Sequence, residues 1–353
     1  MRSYLFIGTV TFMFLLAACG PQATKEFPPT ETLPPSATST PAAQAPTETA
    51  LPRNPLQIIQ PGNVARLQLM KTLPAEMPLQ RSAVAISPDG KTMAIGASTG
   101  NKISFFDLPA WGLSRTVSID ILNVGAYFHI DELEYLPDGT LMANSSGPYR
   151  IYHIDATGGI LSAWDGIYFA LSADKKIMAH NAGPGIALVD IADNTQLLSL
   201  EDPDALTFSF SPDGSRLAAE DVGVDFLRTV IWDIPSQTIL ATLNDMGNPR
   251  FSPNGKFLVT TDMTGDGTVL NIFDVDGKTQ LATLDGNTPL PSTDGQMIIA
   301  QTPQGGPVAW ETTNWQPLEI PIIEGRLDSF SPDGRILITR GDDGAILLWG
   351  VLP

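Results

Sequence analysis

With 353 residues and 43% hydrophobic content, the chain can hold one large domain or two average ones around a packed interior. Its 38 acidic and 20 basic residues give a formal net charge of −18. That balance repels phosphate backbones, and with no dense basic patch it argues against nucleic-acid binding. The lone cysteine, Cys19, excludes an intramolecular disulfide.

The first segment reads as an address. Arg2 supplies a positive start, Tyr4 through Leu16 an apolar run, and Leu16-Ala17-Ala18-Cys19-Gly20 a set of small residues leading to the cysteine. The apolar run is short for a membrane span. These residues resemble the lipobox of bacterial lipoproteins. The resemblance implies a signal peptide over 1–18, cleavage before Cys19, and diacylglycerol on its thiol. Two or three acyl chains there would anchor the chain stably to the bacterial cell membrane, on the extracytoplasmic side.

Residues 19–56 form a linker rich in Pro, Thr, Ala and Ser, as in Pro28-Pro29-Thr30-Glu31-Thr32. It has no apolar period, and its prolines remove backbone donors, so a disordered spacer is expected. Fully extended, it reaches on the order of 100 Å at ~3.1 Å per residue.

From residue 57 to 353 one short stretch recurs. Ser87-Pro88-Asp89-Gly90, Ser211-Pro212-Asp213-Gly214, Ser252-Pro253-Asn254-Gly255 and Ser331-Pro332-Asp333-Gly334 are near copies. Leu136-Pro137-Asp138-Gly139, Ser172-Ala173-Asp174-Lys175 and Ser292-Thr293-Asp294-Gly295 are worn ones. Each separates two apolar runs and reads as a hairpin turn, with Pro fixing φ and Gly taking the left-handed position. The period of roughly 40 residues falls in the range of repeat propellers. The apolar runs barely alternate, as expected for strands buried on both faces.

In chain order, the segment Val64–Leu73 matches the residues just after the third strand in later repeats, Thr238–Leu243 and Thr279–Leu284. After the last repeat the chain has no residues left for a fourth strand. The N-terminal strand is therefore expected to fill that gap and close the ring. Third strands end on Phe106-Asp107, Ile154-Asp155, Val189-Asp190, Trp232-Asp233, Phe273-Asp274, Trp310-Glu311 and Trp349-Gly350. The apolar–Ser-Pro-Asp-Gly and apolar-Trp-Asp pattern, clearest over Ser211–Asp233, resembles the WD40-repeat propellers. No Gly-His dipeptide occurs, so that family's His–Ser–Asp–Trp network is not expected, and TolB-like and YVTN-type propellers stay open as alternatives. The fold expected is all-β: a seven-bladed propeller of four-stranded antiparallel blades.

The chemistry-bearing motifs are weak. Gly96-Ala97-Ser98-Thr99-Gly100 has the G-x-S-x-G pattern but no following helix, and the three histidines, His129, His153 and His180, lack triad or metal spacing. Asp262, Asp266 and Gly267 hint at a calcium loop, yet Phe273 stands where a Glu ligand belongs. Asp221, Asp225, Asp342 and Asp343 read as solvated hairpin tips. No cofactor or metal is expected.

Five of six tyrosines lie between Tyr127 and Tyr168, and the long gap Leu108–Ile130 suggests a projecting loop. Tyr127, Phe128, Tyr149, Arg150 and Trp164 are therefore the candidate partner-binding residues. Trp111 and Trp315 are either surface platforms or core. The leading expectation is a monomeric, membrane-anchored, non-catalytic binding propeller for a protein or glycan partner. The alternatives are a central-channel enzyme, lactonase- or quinoprotein-like, and a TolB-like envelope-assembly component.

Overall fold

The computed structural model describes residues 56–353, apart from 74–82, 98–100, 109, 120–129, 146–148, 184, 203, 224–226, 265–268 and 303–305. All of these belong to the compact unit Ala50–Pro353. The strands form seven four-stranded antiparallel sheets, the seven blades of a propeller.

A 3-10 turn at Val64–Arg66 precedes β1 (Gln68–Leu73). Blade one is β2 (Val84–Ile86), β3 (Thr92–Gly96), β4 (Lys102–Asp107) and β5 (Gly112–Ser118). Blade two is β6 (Ile130–Tyr135), β7 (Leu141–Ser145), β8 (Arg150–Ile154) and β9 (Ile160–Asp165). Blade three is β10 (Phe169–Leu171), β11 (Ile177–Ala182), β12 (Gly185–Asp190) and β13 (Thr195–Leu200). Blade four is β14 (Ala205–Phe210), β15 (Arg216–Val222), β16 (Leu227–Asp233) and β17 (Thr238–Asn244). Blade five is β18 (Met246–Phe251), β19 (Leu258–Asp262), β20 (Val269–Phe273) and β21 (Gln280–Asp285). Blade six is β22 (Asn287–Pro291), β23 (Met297–Gln301), β24 (Pro307–Glu311) and the short β25 (Pro317–Leu318). Blade seven is β26 (Arg326–Phe330), β27 (Ile336–Arg340) and β28 (Ile346–Gly350), completed by β1.

The expected ring closure is present. β1 pairs antiparallel with β28, Leu69 opposite Trp349 and Leu73 opposite Ile346. The lead-in to β1 is also fixed: Gln57 bridges Val351, Ile59 N–H donates to the Gly334 carbonyl at 2.9 Å, and Arg66 Nη2 to that of Leu352 at 2.7 Å. One part of the expected closing segment differs, because Val64–Arg66 coils and buries Val64 beneath blade seven instead of extending.

The repeated turns join the first and second strands of every blade, and their residue types follow from their geometry. Gly90, Gly139, Gly214, Gly255, Gly295 and Gly334 have φ of 69, 86, 71, 66, 66 and 68°, and Lys175 stands there at 56°. The serine also matters. Ser331, 1% exposed, donates to Asp333 Oδ1 at 2.6 Å and accepts the Ile336 amide at 2.9 Å, so one hydroxyl ties the turn to the next strand. The same pair recurs at Ser87–Asp89, Ser172–Asp174, Ser211–Asp213, Ser252–Asn254 and Ser292–Asp294. Serine hydrogen bonding holds the Asp213 carboxyl down at about 2.

The core sits between blades, one apolar cluster at each junction. Blades one and two share Phe105, Ile130, Tyr135 and Tyr152; blades seven and one share Leu73, Ile338, Met93 and Phe106. The other five junctions are built alike. This is why the inner strands read as unbroken apolar runs: each inner sheet face buries against a neighbour.

Topology sorts the connections into two faces. The repeated turns lie on one side, the turn face, together with the returns from third to fourth strands, such as Asp107 to Gly112 in blade one. The connections between second and third strands and the crossovers between blades lie on the other, the crossover face.

Candidate functional site: the crossover face and the channel mouth

At the blade centres the first strands surround a channel. Its mouth on the crossover face encloses about 440 Å³ and is lined from six blades. The first strands reach it through local irregularities, with register shifts at Ile130/Glu132, Ala205/Phe208, Gly247/Arg250 and Leu327/Ser329. Such bulges re-aim side chains that a regular pleat would bury.

The side chains gathered there are polar and charged. Arg340 Nε donates to Asp328 Oδ1 at 2.6 Å, and Thr207 Oγ1 donates to Glu220 Oε2 at 2.8 Å. Asn144 Nδ2 donates to the Ile167 carbonyl at 2.8 Å and to Glu132 Oε2 at 3.4 Å, while its Oδ1 is buried without a donor. Burial, then the charge of Glu134, pushes the Glu132 carboxyl up to about 8; Arg250 acts against this and Asp131 with it. Glu132 therefore keeps its proton to higher pH than an ordinary carboxyl.

A second ionic group lies beside blade four. Asp221 is 1% exposed and pairs with Arg228 at 2.5 Å across β15 and β16, and nearby Asp202 is 5% exposed. Burial, then the Asp221 charge, raises the Asp202 carboxyl to about 6. The expectation of a solvated tip at Asp221 is thus corrected: β15 runs longer than its apolar pattern and carries Asp221 inside. Asp342 and Asp343 are exposed turn residues as expected, and Asp225 lies outside the described residues.

Around the mouth the surface turns apolar. Twelve large apolar side chains are exposed among the described residues, and six of them, such as Leu113 and Leu161, stand singly on outer strands. Five others (Tyr149, Tyr168, Val222, Met263 and Ile322) lie at strand ends or in a crossover on the crossover face. Only Ile58 is on the turn face.

The sequence candidates divide accordingly. Tyr149 is 57% exposed at φ 54°, and Arg150 next to it pairs with Asp165 at 3.1 Å. Trp164 lies opposite Ile151 on β9, so the sheet brings Tyr149, Arg150 and Trp164 to one end of blade two. Trp164 is half-buried against the core between blades two and three, which makes it partly structural. Tyr127, Phe128, His129 and Cys19 lie outside the described residues. The long gap Leu108–Ile130 is shorter than expected as a loop, because β5 occupies Gly112–Ser118.

Trp111 and Trp315 resolve to packing. Both take positive φ in outer turns, and Trp315 meets Phe257 edge-on at 5.4 Å. Tyr135 and Tyr152 are likewise core. His153 shares a hydrogen bond of 2.8 Å with Thr140, and His180 one of 3.2 Å with the Asn181 carbonyl. Asp262 bonds the Thr264 amide at 2.8 Å in a polar turn, and Ser98, Asp266 and Gly267 lie outside the described residues. Among the described residues no group of three His, Cys, Asp or Glu side chains is placed to hold a metal.

A family model described as WD domain, G-beta repeat, matches residues 326–350. That is blade seven, not the Ser211–Asp233 repeat that looked most similar. Trp349 Nε1 donates to Thr339 Oγ1 at 2.9 Å, and Thr339 donates to the Glu324 carbonyl at 2.7 Å. A Trp–hydroxyl pair therefore forms in this blade, without the histidine and aspartate of the full network. In blade four, Ala219 stands at the position of Thr339, and the Trp232 indole instead acts on the Asp202 carboxyl. Among solved structures the chain is similar to Kuenenia stuttgartiensis hydrazine synthase, at 15% identity and a TM-score of 0.61, over 78% of this chain and 96% of that one. This likeness is one of fold. No curated protein matches the chain.

Proposed function

We propose that this chain is a lipid-anchored, extracytoplasmic propeller that binds a protein partner through its crossover face, without catalysing a reaction on it. The observation that carries this reading is the concentration of exposed Tyr149, Tyr168, Val222, Met263 and Ile322 on one face. Aromatic and methionine side chains ringed by charge are the usual composition of interface centres.

The anchor rests on the lipobox at Cys19. Among the described residues no helix is long and apolar enough to cross a membrane. The chain enters the propeller on the turn face, where Leu56 meets the Arg335 guanidinium.

A photo-crosslinking residue at Tyr149, compared in intact cells with one at Lys91 on the turn face, tests the reading. A discrete adduct at Tyr149 and none at Lys91 is expected, and Tyr149→Asp should reduce capture about tenfold. Equal labelling at both sites, or none at Tyr149, would overturn it. In parallel, Cys19→Ala should release the protein from the membrane fraction; continued membrane fractionation would remove the anchor from the proposal.

A further inference from the structure

The channel mouth is chemically unlike the apolar surface around it. Ten of its sixteen lining residues carry a polar side chain, and its volume of about 440 Å³ is that of a small-ligand pocket. Three groups there are left over by the fold. Asn144 is 2% exposed, its amide orientation is fixed by the Ile167 carbonyl, and its Oδ1 lacks a donor among the described residues. Among the described residues the Glu132 carboxyl has only the long 3.4 Å bond from Asn144 as a hydrogen-bond partner. Arg250 makes no ion pair among the described residues, whereas Arg340 in the same lining is already held by Asp328.

These leftovers specify a ligand. An unsatisfied amide oxygen calls for a hydroxyl or N–H donor. A free guanidinium in a pocket calls for a carboxylate or phosphate. Tyr168, 37% exposed at the rim, gives a flat aromatic face of the kind that covers the apolar side of a sugar ring. Thr207, Asn248 and Ser329 add short hydrogen-bonding groups around the wall.

We infer that the channel mouth is a binding site for a sugar acid, with Arg250 taking the carboxylate, Asn144 and Glu132 the ring hydroxyls, and Tyr168 the ring face. This site shares Tyr168 with the protein-binding surface, but Arg250, Asn144 and Glu132 lie outside that surface, so variants at these three test the site alone. Glu132 in its protonated form donates to the ligand. Its ionisation places a negative charge beside the carboxylate and gives Arg250 a competing partner. The charged groups acting on Glu132 are Glu134 and Asp131 on its own strand and Arg250 on β18. Binding is therefore expected to weaken as the solution is made more alkaline.

The test is calorimetric titration of the full-length protein in detergent with D-glucuronate and, as its uncharged counterpart, D-glucose, at pH 6 and pH 9. Glucuronate should bind at pH 6 at least about tenfold more tightly than glucose, the size of one charge-assisted contact. It should lose about tenfold by pH 9. Arg250→Gln, at an exposed position, should abolish the preference for glucuronate while leaving glucose binding unchanged. Asn144→Ala should weaken both sugars. Absence of glucuronate binding at pH 6, or an undiminished preference in Arg250→Gln, would overturn the inference. Photo-crosslinking at Tyr149 is unaffected by either result.

Discussion

Glu132 and Asp202 keep their protons to higher pH than ordinary carboxyls, to about 8 and about 6, and the sign of the consequence is fixed. In the unfolded chain a carboxyl ionises near pH 4. Between that value and the folded one, the native state holds a proton that the unfolded state has lost, so stability falls as pH rises through the window. The Asp213 carboxyl, held at about 2, acts oppositely and only in acid. Burial holds His153 and His180 below the ordinary histidine value, so they add stability as pH rises toward 6.5 and oppose the carboxyls there. Above that the Glu132 carboxyl acts alone: the thermal midpoint is expected to fall from pH 7 to pH 8, and Glu132→Gln should flatten that slope. A midpoint that rises toward pH 8, or an unchanged slope in the variant, would refute the assignment. These residues were hard to read from the chain. Glu132 lies in an alternating strand, and only the bulge at Ile130/Glu132 turns it to the channel. Asp221 lies just past an apolar run, where a tip and a strand end look alike.

At the scale of the element, the turn is the most legible part of the molecule because its causes are local: a residue in left-handed conformation, a serine hydroxyl and an aspartate two residues on. Ser331→Ala removes a buried hydroxyl that serves Asp333 and the Ile336 amide. A loss of about 1–3 kcal/mol in chemical denaturation is expected, and no loss would show that backbone geometry alone holds the turn. Other strands were less visible. β18 contains Gly247 and Pro249, and β22 contains Pro289 and Pro291, so neither reads as apolar and β-branched. The outer strands are exposed along most of their length, and six of their seven pairings carry a bulge, as at Ile231/Trp232 and Ile272/Phe273. A bulged edge is a poor template for another chain's strand. Lys175 shows how a worn turn survives without glycine: its ammonium reaches Glu134 at 2.9 Å and the Tyr135 carbonyl at 2.7 Å, in the preceding blade.

Across the whole molecule, seven repeats and a displaced first strand were enough to foresee the ring. The crossover face was not foreseeable, since its apolar residues come from separate repeats and meet only when the ring closes. Removing residues 56–73 should leave β28 as an unpaired edge and uncover Ile299, Leu337 and Trp349, which pack against Ile59, Val64 and Leu67. Such a variant should unfold at lower denaturant concentration or self-associate. A monomer with an unchanged midpoint would show that closure contributes nothing.

That closing strand also determines how the molecule bears load. β1 runs from the turn face, where the chain enters, toward the crossover face. A pull between the point where the chain enters and the crossover face would be directed along β1, parallel to its seam with β28. The five registered pairs from Gln68–Gly350 to Leu73–Ile346 would be strained together in shear instead of peeled one at a time. The same strand that completes the ring would thereby make it a fastening that resists tension between its two faces.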